Sequence, residues 1–204
     1  PNAIVVKMDP GLAFGTGTGA QLAVRPVRGG ATRVVVPDST SAWTWATSRW
    51  LVYTPTLMRT PVTTFGVARV RPDGTHRALL RRYPATTSVD NLWWTGATLV
   101  FQTTRVRFDN AAIQSVDLRT VAVRTLFDDE VGDNLSPTFA SAGGLAFAHG
   151  STTRFGWYCL EVHLRCIVGA QTIDGIRQPA WSPDGRRLAF LRYTRQGPQL
   201  AVVD

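Results

Sequence analysis

Residues able to carry chemistry are few and dispersed in this chain of 204 residues. His76, His149 and His163 lie far apart, and no acid at a fixed spacing orients any of them. A serine nucleophile would need the tight Gly-x-Ser-x-Gly elbow, which does not occur. Paired carboxylates for glycoside chemistry are conceivable among the acidic segments, but a separation across space cannot be read from one sequence. Cys159 and Cys166 flank Leu160 to Arg165, and around a tight turn near Val162-His163 they would face each other across a hairpin as a disulfide. Zinc would need about four ligands, and only Glu161 and His163 are close by. The expectation is therefore no metal, no cofactor and no catalytic residue, leaning away from an enzyme.

The sharpest chemical signal is the glycine-rich run Asp9-Pro10-Gly11-Leu12-Ala13-Phe14-Gly15-Thr16-Gly17-Thr18-Gly19. It resembles a segment of the methyltransferases that modify a ribosomal protein. That resemblance would imply a cofactor-binding strand and a second glycine loop further on. Here Gly19 stands where the family pattern has His, and Gln21 to Val27 is strand-like with an internal Pro26. A glycine loop holds a phosphate or an adenosine only between a strand and a helix N-terminus. Methyltransferase chemistry stays a remote alternative.

The elements that must position these residues come from an internal repeat. A Leu-x-aromatic anchor recurs as Leu12-Ala13-Phe14, Leu51-Val52-Tyr53, Leu99-Val100-Phe101, Leu145-Ala146-Phe147 and Leu188-Ala189-Phe190. The anchors are roughly 40–50 residues apart, the spacing of four-stranded propeller blades. Each is followed by a second apolar strand, and the first four by a third. Pro183-Asp184-Gly185 and Arg71-Pro72-Asp73-Gly74 have the residues of tight turns, with Pro fixing φ and Gly supplying a positive one. The expectation is all-β: a single propeller of about five four-stranded blades. The blades run approximately 1–37, 38–82, 83–130, 131–173 and 174–204, the last incomplete. The run Trp181-Ser182-Pro183-Asp184-Gly185-Arg186-Arg187-Leu188-Ala189-Phe190 resembles the repeat of TolB-like β-propellers. Such propellers imply binding or scaffolding, and in some enzymes a lid over a separate catalytic domain. The chain opens on Pro1 and its fifth unit stops a strand early, so a piece of something longer is expected, with Asn2 to Met8 closing the ring as the alternative.

Loops on a rigid scaffold supply sites. Those expected to join an outer strand to the next inner strand contain Asp38, Asp90, Asn91, Asp128, Asp129, Glu130, Asp133, Asn134 and Asp174, with Arg177 close behind. Loops expected on the same face, Thr54 to Thr64 among them, contain Arg59, Arg105, Arg107, Arg154, Arg192 and Arg195. An acidic mouth inside a basic rim would focus a cation or a basic segment of a protein or peptide. Binding is accordingly expected at Asp38, Asp90, Asn91, Asp133, Asn134, Arg105, Arg154 and Arg177. Carbohydrate is the alternative ligand, through Trp43 and Trp45 or the adjacent pair Trp93-Trp94, although core packing explains the first pair more simply.

The net charge of +8 comes almost wholly from arginine. The arginines are spread over every unit in runs no longer than a pair, so a nucleic-acid partner is not favoured. No stretch approaches the roughly 20 apolar residues of a membrane helix. The arginine bias points to a GC-rich bacterial genome, and a disulfide would favour an exported, periplasmic or secreted location.

Overall fold

The computed structural model describes residues 3–8, 21–37, 40–59, 62–105, 110–129, 136–140, 144–151, 157–163, 165–171 and 175–204. Among these there are strands and turns and no helix. The strands form five successive antiparallel sheets, each a meander in which sequence neighbours pair. The first sheet is β1 (Ala3–Met8), β2 (Gln21–Pro26) and β3 (Arg33–Val36). The second is β4 (Thr40–Thr47), β5 (Trp50–Arg59), β6 (Val62–Val70) and β7 (Ala78–Tyr83). The third is β8 (Thr87–Trp94), β9 (Leu99–Arg105), β10 (Asn110–Val116) and β11 (Val123–Asp129). The fourth is β12 (Thr138–Ala140), β13 (Gly144–Ser151), β14 (Trp157–Val162) and β15 (Arg165–Gln171). The fifth has three strands, β16 (Ile176–Trp181), β17 (Leu188–Thr194) and β18 (Gly197–Val203).

The chain divides into two compact units, residues 1–92 with 118–121, and residues 93–117 with 122–204. In the first unit, Leu22, Val24 and Val36 of the first sheet pack against Leu51, Tyr53, Ala68 and Val70 of the second. In the second unit, Phe147 and Leu145 pack against Val100, Ala111 and Ile113 of the third sheet. From the same strand, Ala146 and Ala148 pack against Ile176, Leu188 and Phe190 of the fifth. Successive side chains of a strand point to opposite faces. So Leu51 with Tyr53, Leu145 with Phe147 and Leu188 with Phe190 reach back to the preceding sheet, while Val100 and Ala146, each between its anchor's Leu and aromatic, reach forward. The anchor is apolar throughout because its strand is buried on both faces; Leu99, Val100 and Phe101 are all buried.

The two Pro-Asp-Gly turns share one construction. The Gly185 N–H donates to the Ser182 carbonyl (2.9 Å), and the Gly74 N–H donates to the Arg71 carbonyl (2.9 Å). Both glycines have positive φ, 68° and 83°, as expected for a type I turn followed by a left-handed residue. The aspartate closes each turn from inside. Asp184 Oδ1 accepts from Ser182 Oγ (2.5 Å) and the Arg186 N–H (3.2 Å). Asp73 Oδ1 accepts from Thr75 Oγ1 (2.6 Å) and the Thr75 N–H (2.9 Å).

Three expectations are corrected. The first sheet takes its strand beside β2 from Ala3–Met8, which pairs Met8 to Gln21 through Ala3 to Pro26. The β-branched run Ile4-Val5-Val6 has the stronger strand propensity. The strand beside β2 is therefore not Leu12-Ala13-Phe14, which falls outside the described residues. Thr54 to Thr64 is not a loop. β5 runs on to Arg59 and pairs with β6 from Thr56↔Phe65 to Arg59↔Val62, a ladder favoured by the threonines at 54, 56, 63 and 64. Asp90 and Asn91 lie within β8, and Asp128 and Asp129 within β11, rather than in connecting loops.

Candidate functional site: the inner strands

The first strand of a sheet carries a repeated irregularity. In β16 the register passes from Arg177↔Leu191 to Ala180↔Ala189, and in β4 from Thr40↔Pro55 to Trp43↔Tyr53. Each step inserts one extra residue, a β-bulge. φ is positive in Gln178 (52°), within the bulge of β16, in Asn91 (52°) of β8, and in Ser136 (37°), which leads into β12. Counted back from the aromatic residues Trp94, Phe139 and Trp181, all three occupy one position. Left-handed backbone costs a residue with a Cβ about 1–2 kcal/mol, and such outliers collect at binding sites.

Side chains hold the bulge of β4 and the backbone at Ser136. In the second sheet the Ala42 N–H donates to Thr54 Oγ1 (2.9 Å), and Thr40 Oγ1 donates to the Thr54 carbonyl (2.9 Å). In the second unit the Ser136 N–H donates to Gln102 Oε1 (3.0 Å), and Gln102 Nε2 donates to Thr104 Oγ1 (3.2 Å). Thr54 and Gln102 directly follow their anchors and are both buried. Sequence reasoning missed this network, although two signals pointed to it. Proline inside a strand marks an edge or a bulge, and Ser136-Pro137 and Gln178-Pro179 repeat at the same offset.

Of the expected binding residues, Asp90 is partly buried beside exposed Asn91 on β8. Arg177 is exposed on β16, with its guanidinium 5.5 Å from the centre of the Tyr193 ring. Arg105 is exposed at the end of β9. Asp38, Asp133, Asn134 and Arg154 fall outside the described residues, as do Arg107, Glu130 and Asp174. Three of the expected binding residues thus adjoin or occupy the left-handed position, Asn91 itself, Asp90 before it and Arg177 next to Gln178. Trp43 and Trp45 are partly buried against the core of the first unit, while Trp93 is 40% exposed.

The cysteine pair departs from the simple expectation. Cys166 stands opposite Glu161 and Cys159 opposite Gly169, because a register shift at Leu160/Glu161 displaces the two strands. The cysteines are diagonal neighbours, not directly opposed. Among the described residues there is no free cysteine, and no group of three or more His, Cys, Asp or Glu side chains could hold a metal ion. His149 lies in an aromatic cluster, its ring centre 5.5 Å from that of Phe127 and 6.1 Å from that of Phe147. Among the described residues no helix is long and apolar enough to cross a membrane.

No protein-family model matches the chain, and no curated protein does. Solved structures do. TolB from Acinetobacter baumannii aligns over 91% of this chain and 46% of its own, with a TM-score of 0.61 and 17% identity. The fold is that of a TolB-like β-propeller. A TolB protein from Agrobacterium tumefaciens aligns over 98% of this chain and 69% of its own (TM-score 0.57, 18% identity). An oligogalacturonate lyase from Vibrio parahaemolyticus aligns over 91% of this chain and 54% of its own (TM-score 0.65, 11% identity). The chain thus spans about half the length of the lyases and of one TolB protein. Across this TolB-like fold, functions differ, and the site has to argue for its own.

Proposed function

We propose that this TolB-like chain is a non-catalytic scaffold that binds a protein or peptide, and that residues 1–204 act as one propeller domain of Trp-Ser-Pro-Asp-Gly type repeats. The observation that carries the reading is the left-handed, non-glycine residue repeated at one position in or just before the first strand of three sheets. Strain kept at one place in successive sheets is the mark of backbone held ready for a ligand. Asp90, Asn91 and Arg177 supply charge and hydrogen-bonding groups beside it, with Asp38, Asp133, Asn134, Arg105 and Arg154 completing the binding set. The test is a partner captured by cross-linking in the source organism, followed by titration against Asp90→Asn and Asp133→Asn. Affinity should fall about tenfold, the loss of one charge-assisted contact. Unaltered affinity for every captured partner would remove the acidic residues from the site.

A Cys159–Cys166 bridge and an exported location belong to the same reading. They are supported by Cys166 not being a free thiol and by Cys159 being the only other cysteine in the chain. An intact mass about 2 Da higher after reduction checks the bridge.

The second reading, carbohydrate binding or processing, is favoured by one observation, the exposed ring of Trp93 beside partly buried Trp94. It requires the tryptophan emission to change on adding oligosaccharides, and a flat response across a glycan panel disposes of it.

A further inference from the structure

We infer that Trp50, Arg69 and Arg71 form a binding site for a phosphate dianion, free or as the terminal group of a small phosphorylated molecule. The site goes beyond the peptide-binding reading and does not depend on it. It lies where β4 turns into β5, at the Thr47↔Trp50 pair, while the bulge of β4 lies at the Thr40 end of the same strand. The Arg69 guanidinium is 4.5 Å from the centre of the Trp50 ring, and that of Arg71 is 5.6 Å from it. Both distances are inside the roughly 6 Å of a cation–π contact. Two like charges therefore share one half-buried ring. A single guanidinium on a tryptophan is an ordinary packing contact. A second one beside it adds repulsion that a bound anion would relieve.

No carboxylate among the described residues forms an ion pair with either arginine. Asp73, two residues on from Arg71, keeps Oδ1 for the Thr75 hydroxyl (2.6 Å) and N–H (2.9 Å), and feels Arg71 only as a charge at a distance. Arg69 Nε is buried and has no hydrogen-bond partner among the described residues. An oxyanion entering the cluster supplies the acceptor that water does not. Both arginines are fixed in advance. Arg69 Nη1 donates to the Leu118 carbonyl (2.8 Å). The Arg71 N–H donates to the Thr75 carbonyl (2.9 Å), and the Arg71 carbonyl accepts from the Gly74 N–H (2.9 Å). Such preorganisation lowers the cost of binding. Exposed Arg49 and Arg119 adjoin Trp50 and Leu118 in sequence and raise the positive potential around the site. A carboxylate has one charge and two oxygens, enough for one guanidinium fork. A phosphate carries about −1.5 to −2 charges at neutral pH and three terminal oxygens, enough for two forks.

The probe is inorganic phosphate, titrated into the whole chain at constant ionic strength and followed by proton–nitrogen NMR of the arginine side chains. The Arg69 Nε–H, shielded from water, should give its own signal, and phosphate should shift it to saturation. Arg71→Gln, at an exposed position, should keep the fold and weaken phosphate binding about tenfold, the loss of one charge-assisted contact. Arg69→Lys keeps the charge but not the fork, and should weaken binding as much. Acetate should bind at least about tenfold more weakly than phosphate. Glycerol phosphate binding more tightly than phosphate would give the site to a phosphorylated molecule, and equal or weaker binding would give it to the free anion. A shift that rises without saturating, or that Arg71→Gln leaves unchanged, would overturn the site. Phosphate binding that Arg69→Lys leaves intact would reduce it to a field of positive charge and overturn the built geometry. Acetate binding as tightly as phosphate would overturn the choice of ligand.

Discussion

Gly66 lies so close to Arg81 that a Cβ built on it would meet the Arg81 carbonyl oxygen at 2.8 Å and Leu79 Cδ1 at the same distance. Gly66 is opposite Arg82, directly before the register shift at Val67/Ala68, where the β6–β7 ladder is pinched. Glycine inside a strand often marks such a close approach of backbone. Gly66→Ala should therefore destabilise the chain by about 1–3 kcal/mol, because the obstructing atom is main chain and cannot rotate away. A chemical denaturation curve with a lowered midpoint and unchanged slope checks it.

Gln178 separates backbone strain from side-chain chemistry. With φ at 52°, Gln178→Gly should leave the melting temperature nearly unchanged, relief of strain offsetting glycine's extra chain entropy. Gln178→Val places a β-branched side chain in the left-handed region and should cost about 1–2 kcal/mol. If both variants bind partners as the parent does, the repeated conformation serves the fold alone.

Tyr83 is buried, and burial pushes its hydroxyl up to about 12, opposed by the nearby Arg81 charge. The folded state therefore favours the neutral phenol. That preference is fully present below the ordinary tyrosine value of 10.0 and is lost as pH rises toward about 12. In a phenolate absorbance titration, the parent minus Tyr83→Phe difference should stay flat past pH 10 and rise near 12.

Asp73 and Asp184 titrate in the opposite sense. The Thr75 side chain and N–H hold the Asp73 carboxyl below the ordinary aspartate range, and the Ser182 hydroxyl and Arg186 N–H do the same for Asp184. Each turn is helped by its carboxylate above the ordinary value of 3.8, and the help is lost as pH falls below it. Carboxyl carbon shifts followed by NMR should place both midpoints under those of a model peptide. Thr75→Val should return Asp73 toward the ordinary value and leave Asp184 alone.

Trp181 Nε1 donates to the Gly144 carbonyl (3.0 Å), joining the fifth sheet to the start of β13. Trp181→Phe keeps an aromatic ring but leaves that carbonyl without its donor. It should cost about 1–3 kcal/mol, the desolvation of an unsatisfied acceptor. Thermal melts of the two proteins decide it.

The fold was legible where one physical cause acts alone. Leu-x-aromatic anchors are apolar because their strands are covered on both sides, and Pro-Asp-Gly turns have few conformations open to them. Leu12-Ala13-Phe14 matches the anchor pattern, but the β-branched run Ile4-Val5-Val6 lies in the strand that pairs with β2. Asp90 and Asn91 are expected in a loop because asparagine and aspartate are good turn residues. In fact Val89 and Leu92, both buried, hold the strand together on either side of them. The diagonal cysteines show the same limit. Equal distance from a turn predicts facing residues only in a ladder without a bulge, and bulges depend on packing that one strand's sequence does not display.

The alternation within each anchor has a consequence for how the chain comes apart. In the second unit, Phe147 grips the sheet before it and Ala148 the sheet after it, so no sheet can loosen without exposing apolar surface on its neighbours. Stability in such an array is a sum of sheet terms and nearest-neighbour terms. A defect in the fifth sheet is felt first by the fourth and reaches the third through Leu145, Phe147, His149 and the Ser136–Gln102 hydrogen bond. Ala146→Gly and Phe147→Leu, adjacent in sequence, should therefore transmit their damage in opposite directions along the chain.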